Sequence, residues 1–330
     1  IFGWLCDHCC IYTMKLSKLG EHSLLEFIYS KLKTRGKKVV QGVGDDAAVL
    51  DYDKKYFLLL TTDSLIENIH FRKQWFSAEQ IGKKAIEQNV SDIAAMGGSP
   101  TYALVSLQLP NSLDFSYFQK LYGGILKQCS AYSIQIIGGN ISQAKEISIS
   151  ITMLGLVEKN RICLRKNAKK GDLICVTNDL GKSCVGLELL KKAKKGPSID
   201  YFLNPKAKLK EGRILSGNGV KSMEDVSDGL SSEIHNICKA SNVGAIIYQD
   251  KTPIKKETVN DAKKMGKDPI QCALYGGEEF ELVFTGPKRL ISKLRNKKIQ
   301  FSVIGEIVDK SKGVSLISKG KPMKLSRGFE

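Results

Sequence analysis

The chain has 330 residues, 42% of them hydrophobic and 26% charged, a balance ordinary for a globular protein and long enough for two domains. No apolar run approaches the roughly 20 residues that a membrane-crossing helix needs. The formal net charge of +17 invites a nucleic-acid reading, but only 8 of the 51 basic residues are Arg. Base-edge and bidentate phosphate recognition favour Arg, whereas dispersed Lys marks a solvated surface, so the composition argues against a nucleic-acid partner. A positive field can still draw in phosphorylated small molecules.

The chain opens with Cys6, His8, Cys9 and Cys10, ahead of the first Met at position 14. These resemble half of a zinc cluster, but no second ligand pair follows at finger spacing. The segment also lacks the basic start and sustained apolar core of a signal peptide. Residues 1–13 therefore read as an upstream extension, with the functional chain starting at Met14. Cys129, Cys163, Cys175, Cys184, Cys238 and Cys272 are scattered in mostly apolar contexts, as buried thiols of a reducing cytoplasm would be.

From Gly20 the spacing of Leu24, Leu25, Phe27, Ile28 and Leu32 predicts a helix. Val39–Val43 and Ala47–Leu50 read as strands around the Gly42–Gly44 turn, which carries Asp45 and Asp46. A further strand, Tyr56–Leu60, ends in Thr61-Thr62-Asp63, and His70 follows in Ser64–Phe71. A helix is predicted over Ser77–Met96, with Ser77 as N-cap and Gly97-Gly98 as its stop. Asp92 on that helix is followed by small apolar residues, an unusual place for a carboxylate. Thr101–Leu109 is a strand, Phe115–Tyr132 a helix, Ile134–Ile137 a strand, Gly138-Gly139-Asn140 a glycine turn, and Ile147–Val157 a long alternating strand.

Residues 158–170, basic and polar, read as a linker that contains Arg161 and Arg165. Beyond it come a strand over Leu173–Thr177 and a helix over Lys182–Lys191. Gly181-Lys182-Ser183 has the ending of a P-loop, but the leading Gly would fall at Val176, so a P-loop is rejected. Tyr201–Ser216 reads as largely helical, with Pro205 at a first helical position. Asp225 and Asp228 flank Ser227 where the helix Ser231–Ser241 begins, a placement that suits a metal-bound phosphate. Ala245–Tyr248 is a strand and Thr258–Met265 a helix. Gly276-Gly277-Glu278-Glu279 forms a third glycine–carboxylate turn before the strand Glu281–Phe284. Pro287–Asn296 is helical, and short strands close the chain. Taken singly, each acidic cluster reads as a turn or a helix cap. Together they repeat one device, in which a turn or element end delivers carboxylates.

The series VGDDAAVL, TTDSLIENIHF, NVSDIAAMG, IIGGN, Arg165 before KKGD, VSDGL and YGGEEFEL, in that order, closely resembles the thiamine-monophosphate kinase family. Its superfamily includes aminoimidazole ribonucleotide synthetase, selenophosphate synthetase and an ATP-binding hydrogenase maturation protein. The likeness runs from about Gly20 to Phe329. It implies a mixed α/β (α+β type) two-domain fold, with an N-terminal domain over 14–160 for metal, ATP and dimerisation and a C-terminal domain over 161–330. It further implies that N-terminal domains pair into a β-barrel across a homodimer. The implied reaction is direct, Mg²⁺-assisted transfer of the γ-phosphoryl group of ATP onto thiamine monophosphate, giving thiamine diphosphate in the cytoplasm.

Carried over by motif, Asp46, Thr61, Thr62, Asp63, Asp92, Asn140, Asp225 and Asp228 would surround Mg²⁺, with Asp63, Asp92 and Asp228 closest to the chemistry. Gly139, Asn140, Arg165 and Ser227 would face ATP phosphates. His70, Glu278 and Phe329 would hold the thiamine moiety. The residue types fit this chemistry, since joining two phosphates needs cations held by carboxylates and otherwise demands positioning and charge stabilisation. Two departures stand out. Asn140 replaces the family's usual Asp and removes a charge from one metal site, and Glu279 stands where Asp is common. The alternatives left open are another ATP-using enzyme of the superfamily, a degenerate inactive homologue, and a basic binding protein.

Overall fold

A computed structural model describes residues 21–32 and 36–328. Residues 1–13, Met14 and Phe329 lie outside the described residues. The helix Glu21–Lys31 forms where the spacing predicts it and belongs to a unit separate from the body Lys38–Gly328.

Two sheets build that body. The first contains β1 (Val39–Gln41), β2 (Ala48–Asp51), β3 (Tyr56–Ile66), β4 (Ser99–Leu109), β5 (Gln135–Gln143) and β6 (Ser148–Glu158), in the order β1-β2-β3-β6-β4-β5. All its pairs are antiparallel except β4–β5. The second contains β7 (Leu173–Thr177), β8 (Ser222–Asp225), β9 (Gly244–Tyr248), β10 (Leu282–Gly286), β11 (Phe301–Val308), β12 (Val314–Ser318) and β13 (Lys321–Lys324), in the order β13-β12-β9-β11-β7-β10-β8. The fold is mixed α/β, and among the described residues neither sheet closes on itself.

Burial in β6 alternates without a break, as period-2 geometry requires of a sheet covered on one face. Ile149, Ile151, Met153 and Val157 are fully buried under the helix Ala78–Ala95, which contributes Ile81, Ile86, Val90 and Ile93 to the same core. That helix starts with a complete capping box. Ser77 Oγ accepts from the Gln80 N–H at 3.3 Å, and Gln80 Oε1 accepts from the Ser77 N–H at 2.9 Å. It crosses the helix Phe115–Ala131 with little space between backbones. A Cβ on Gly82 would stand 2.1 Å from the Leu121 carbonyl oxygen, and one on Gly124 would stand 2.2 Å from that of Glu79.

Several expectations are corrected. β3 does not stop at Leu60 but runs to Ile66, because β6 supplies partners along its whole length and pairs Thr61, Thr62 and Asp63 with Met153, Thr152 and Ile151. Gly138-Gly139-Asn140 is not a turn but part of β5, where Gly139 lies against Val105 so closely that a Cβ would meet the Val105 oxygen at 1.9 Å. Tyr201–Ser216 divides into the helices Ser198–Leu203 and Leu209–Gly217, with Pro205 between them rather than in a first turn. Residues 158–170 are no open linker. Cys163 and Leu164 are buried, Leu164 donates its N–H to the Lys221 carbonyl at 2.9 Å, and Arg161 pairs with Glu158. The helix Pro269–Tyr275, absent from the expected elements, is capped by Asp268 and started by Pro269, an Asp-Pro helix-start signal.

Replacing Gly82 by Ala forces the two crossing helices apart. Overpacking of this kind costs about 1–3 kcal/mol, which at this chain length lowers Tm by several degrees. Thermal denaturation followed by circular dichroism checks this, and an unchanged Tm contradicts the close-packed crossing.

Candidate functional site

Five carboxylates from five different elements, some on each sheet, gather in one region. Asp46 lies in the β1–β2 turn, Asp63 in the middle of β3, Asp92 in the last turn of the helix Ala78–Ala95, Asp225 at the end of β8, and Asp228 just before the helix Leu230–Ser241. Oxygens of Asp46, Asp92 and Asp225 all lie within 4.8 Å of one another. Asp63 and Asp228 stand close enough to add their own repulsion. Hydroxyl donors hold two of the group in place. Thr61 Oγ1 donates to Asp92 Oδ2 and Ser91 Oγ to Asp225 Oδ2, each at 2.5 Å. The period-2 geometry of β3 explains why Thr61 and Asp63 share the helix-covered side with Leu59 and Leu65.

The fixed counter-charge is Arg165. Its Nη2 lies 2.5 Å from Asp46 Oδ1 and 3.0 Å from Glu224 Oε1, and its backbone N–H donates to Asp45 Oδ2 at 3.1 Å. Asp45 is thus occupied in holding the Arg165 backbone. One guanidinium does not balance the cluster. Burial and the neighbouring Asp46 push the Asp45 carboxyl up to about 7, and burial and Asp228 push Asp63 up to about 6. Burial foremost, then Asp225 and Asp63, raises Asp92 well above the carboxylate range, and burial and Asp46 do the same to Asp225. The donor set is all oxygen, and Asp46 Oδ2 is buried without a hydrogen-bond partner. Clustered carboxylates, with one orphaned acceptor among them, fit a hard divalent cation such as Mg²⁺.

A second group gathers beside the first. His70 Nδ1 accepts from the Ile66 N–H at 3.0 Å, which places the ring proton on Nε2. Glu278 sits in a left-handed conformation with φ of 58°, and its N–H donates to the Ser227 carbonyl at 2.7 Å. Joining the two is Lys84, which sequence reasoning missed. Its Nζ lies 2.8 Å from each Glu278 carboxylate oxygen and donates to the His70 carbonyl at 3.0 Å. The available signal was position, because Lys84 falls one turn after Ile81 and beside Ala85 on the apolar stripe of its helix.

Other expected residues are placed apart from the cluster. Thir neighbours in the sheet decide this for Thr62 and Asn140. Thr62 projects to the opposite face of β3, where it donates to the Ile151 carbonyl at 3.1 Å and lies 3.2 Å from Thr152 Oγ1. Asn140 shares a cross-sheet row with Ser106, Ser150 and Ser64 on that same open face. It is three strands from β3, about 14 Å at the usual strand spacing. Gly139 neighbours it on the edge strand. Ser227 meets the second group through its carbonyl. In the rejected P-loop stretch, Lys182 Nζ is bonded to Glu281 at 2.6 Å, and the Ser183 N–H donates to Glu279 Oε1 at 2.9 Å. The protein's own carboxylates therefore occupy that helix start. Glu279, the departure noted above, is buried and structural. Of the cysteines, Cys129, Cys163, Cys175, Cys238 and Cys272 are buried and Cys184 is half-buried, all with free thiols. Among the described residues no helix is long and apolar enough to cross a membrane.

Comparison with known proteins matches residues 44–157 to the N-terminal domain model of the AIR synthase related proteins and residues 169–317 to their C-terminal domain model. Thiamine-monophosphate kinase of Aquifex aeolicus is 39% identical over 83% of this chain and 88% of its own length. The enzyme of the same name from Pyrococcus horikoshii is 39% identical over 86% of this chain and 88% of its own. A solved structure of AaThiL complexed with AMPPCP and TMP superposes with a TM-score of 0.84 at 36% identity, covering 94% of this chain and 97% of that one. With both domain models matched and such identity sustained along nearly nine-tenths of its relatives, the chain belongs to the thiamine-monophosphate kinase family of AIR synthase related proteins.

Proposed function

We propose that this chain transfers the γ-phosphoryl group of ATP directly onto the phosphate of thiamine monophosphate, giving thiamine diphosphate and ADP. The observation that carries this reading is the convergence of Asp46, Asp92 and Asp225 within 4.8 Å, with Asp63 and Asp228 beside them, in a chain whose solved relative holds AMPPCP and TMP. Asp46, Asp92 and Asp225, with Asp63 and Asp228 beside them, would hold Mg²⁺, which would supply the positive charge that lets two phosphates approach.

The chain's own residues do the positioning. Arg165, paired with Asp46 and Glu224, aims Asp46 and offsets part of the proton affinity that burial gives it, and it would face the nucleotide phosphates from that position. Ser91 and Thr61 orient Asp225 and Asp92. Phosphoryl transfer needs no protein nucleophile, which suits a site built from carboxylates and hydroxyls. His70 and Glu278 would line the neighbouring thiamine pocket; the family likeness assigns Phe329, which lies outside the described residues, to the same moiety. Ser227, at the start of the helix Leu230–Ser241, faces the phosphates.

The dimer belongs to the same reading. β5 is an edge strand, and Tyr102, Leu104, Ile137 and Ile141 on β4 and β5 are exposed large apolar residues. An uncovered apolar edge favours pairing with a second copy, which would close the open sheets into a barrel. Gly139 and Asn140 lie on that edge, so they would meet the nucleotide near the subunit boundary, and Asn140 would offer an amide oxygen instead of a charge. Division at residues 160/161 into metal-binding and C-terminal domains completes the proposal, with the enzyme acting in the cytoplasm.

With Mg-ATP and thiamine monophosphate, the purified protein is expected to form thiamine diphosphate, read by chromatography. Asp63→Asn, which keeps the shape of a half-buried side chain, is expected to lower kcat by at least about a hundredfold with Tm little changed. Full activity in that variant would remove Asp63 from the reaction. Stability adds a metal-linked test. Because the folded-state pKa values of Asp63 and Asp45 are raised to about 6 and about 7, protonation stabilises the metal-free protein at low pH, and this is lost as pH rises through that window. Mg²⁺ competes with those protons, so the rise in Tm on adding Mg²⁺ is expected to be larger at about pH 8 than at about pH 5.5. An equal rise at both pH values would contradict a carboxylate-bound cation.

A further inference from the structure

Lys84 is among the largest fully buried side chains of the described residues. A buried ammonium is costly unless it is paired and hydrogen-bonded, and apolar side chains of similar volume usually serve stability as well or better. Everything around this lysine satisfies it. Its Nζ lies 5.2 Å from the Phe76 ring centre and 4.9 Å from that of Phe202, donates to the His70 carbonyl at 3.0 Å, and sits 2.8 Å from both Glu278 oxygens. His70 and Glu278 are distant in sequence and come from the two family-model domains. Lys84 is on the same helix as Asp92, so the group that fixes Glu278 is rigidly connected to the acidic cluster.

Glu278 needs such a tether. Its backbone is in the left-handed region, where a non-glycine residue is uncommon, and its side chain remains 30% exposed toward solvent. The backbone bond to Ser227 fixes where the residue starts but not where its carboxylate points. Lys84 contacts both carboxylate oxygens and leaves their remaining lone pairs on the open side. It also cancels the charge. A carboxylate paired in this way works as an oriented hydrogen-bond acceptor more than as the sole counter-ion of a cationic ring.

We infer that Lys84 is a positioning residue for the phosphate acceptor: it anchors Glu278 and the His70 loop in one geometry, so that Glu278 accepts a hydrogen bond from an N–H donor of a heteroaromatic substrate. This rests on the kinase reading above and deepens its substrate pocket. The substitution Lys84→Met keeps length and volume among Phe76 and Phe202, and Glu278 has water to solvate it, so the fold is retained.

Steady-state kinetics of the full chain, varying thiamine monophosphate and ATP separately, test the inference in the wild type, K84M, E278Q and the double variant. K84M is expected to raise KM for thiamine monophosphate about tenfold or more, with KM for ATP and kcat within about twofold. The double variant is expected to be no worse than the weaker single variant, because both changes remove one interaction. If wild-type enzyme turns over but K84M leaves KM for thiamine monophosphate unchanged, or shifts both KM values alike, or adds fully to E278Q, the positioning role is overturned. If the wild type makes no thiamine diphosphate, it is the kinase reading that falls. Thermal melts of all four proteins identify any variant that has lost its fold, and Lys84→Arg, which keeps a donor toward Glu278, then serves in place of K84M with a smaller rise in the same KM expected and an unchanged KM overturning the role.

Discussion

The acidic cluster depends on a buried guanidinium. Arg165 ties Asp46 in the first sheet's β1–β2 turn to Glu224 on the second sheet's β8, while its backbone N–H is held by Asp45. Without a positive charge at that point, the carboxylates gathered by five separate elements would repel one another in a desolvated space. Burial foremost, with repulsion from neighbouring carboxylates added for all but Asp228, raises the proton affinities of Asp45, Asp46, Asp63, Asp92, Asp225 and Asp228 despite that charge. A fold that accepts this cost, with Asp46 Oδ2 left unpartnered, is organised for an arriving cation. The segment joining the two family-model domains is therefore a part of the site, because it carries the arginine that holds both sides together.

Secondary structure and site position are linked through one helix. Ala78–Ala95 packs against β6 and crosses its neighbour helix at Gly82 and Gly124. It carries Lys84 toward Glu278 and Ser91 and Asp92 toward the acidic cluster. The proposed acceptor pocket and metal site would thus share one rigid support, which suits a reaction that depends mainly on holding two phosphates in line.

Much of this was legible in the amino-acid sequence. Asp46, Asp63, Asp92, Asp225 and Asp228 were readable because each sits at a turn, a strand or a helix end beside small residues, and their order carried the family likeness. The Ser77 start of the helix was readable from its cap chemistry. Other features depended on tertiary partners. Thr61 and Thr62 look equivalent in a strand thought to end at Leu60, and only the continuation of β3 along β6 sends one toward Asp92 and the other to the open face. Gly138-Gly139 looks like a turn until Val105 is seen against Gly139. Four-residue β8 holds Glu224 and Asp225 wholly buried, and no period-2 pattern betrays it. Lys84 falls on the apolar stripe of its helix, but what satisfies it there depends on Glu278 and Phe202, which lie far away in the chain.

The central claim is that Asp46, Asp92 and Asp225 hold a divalent cation against nucleotide phosphates. Anomalous diffraction from crystals soaked with Mn²⁺ and a non-hydrolysable ATP analogue tests it most directly. The expected result is an anomalous peak in contact with oxygens of those three aspartates and of the nucleotide phosphates. Nucleotide bound with no metal at the three aspartates, or Mn²⁺ bound only elsewhere, would contradict the account.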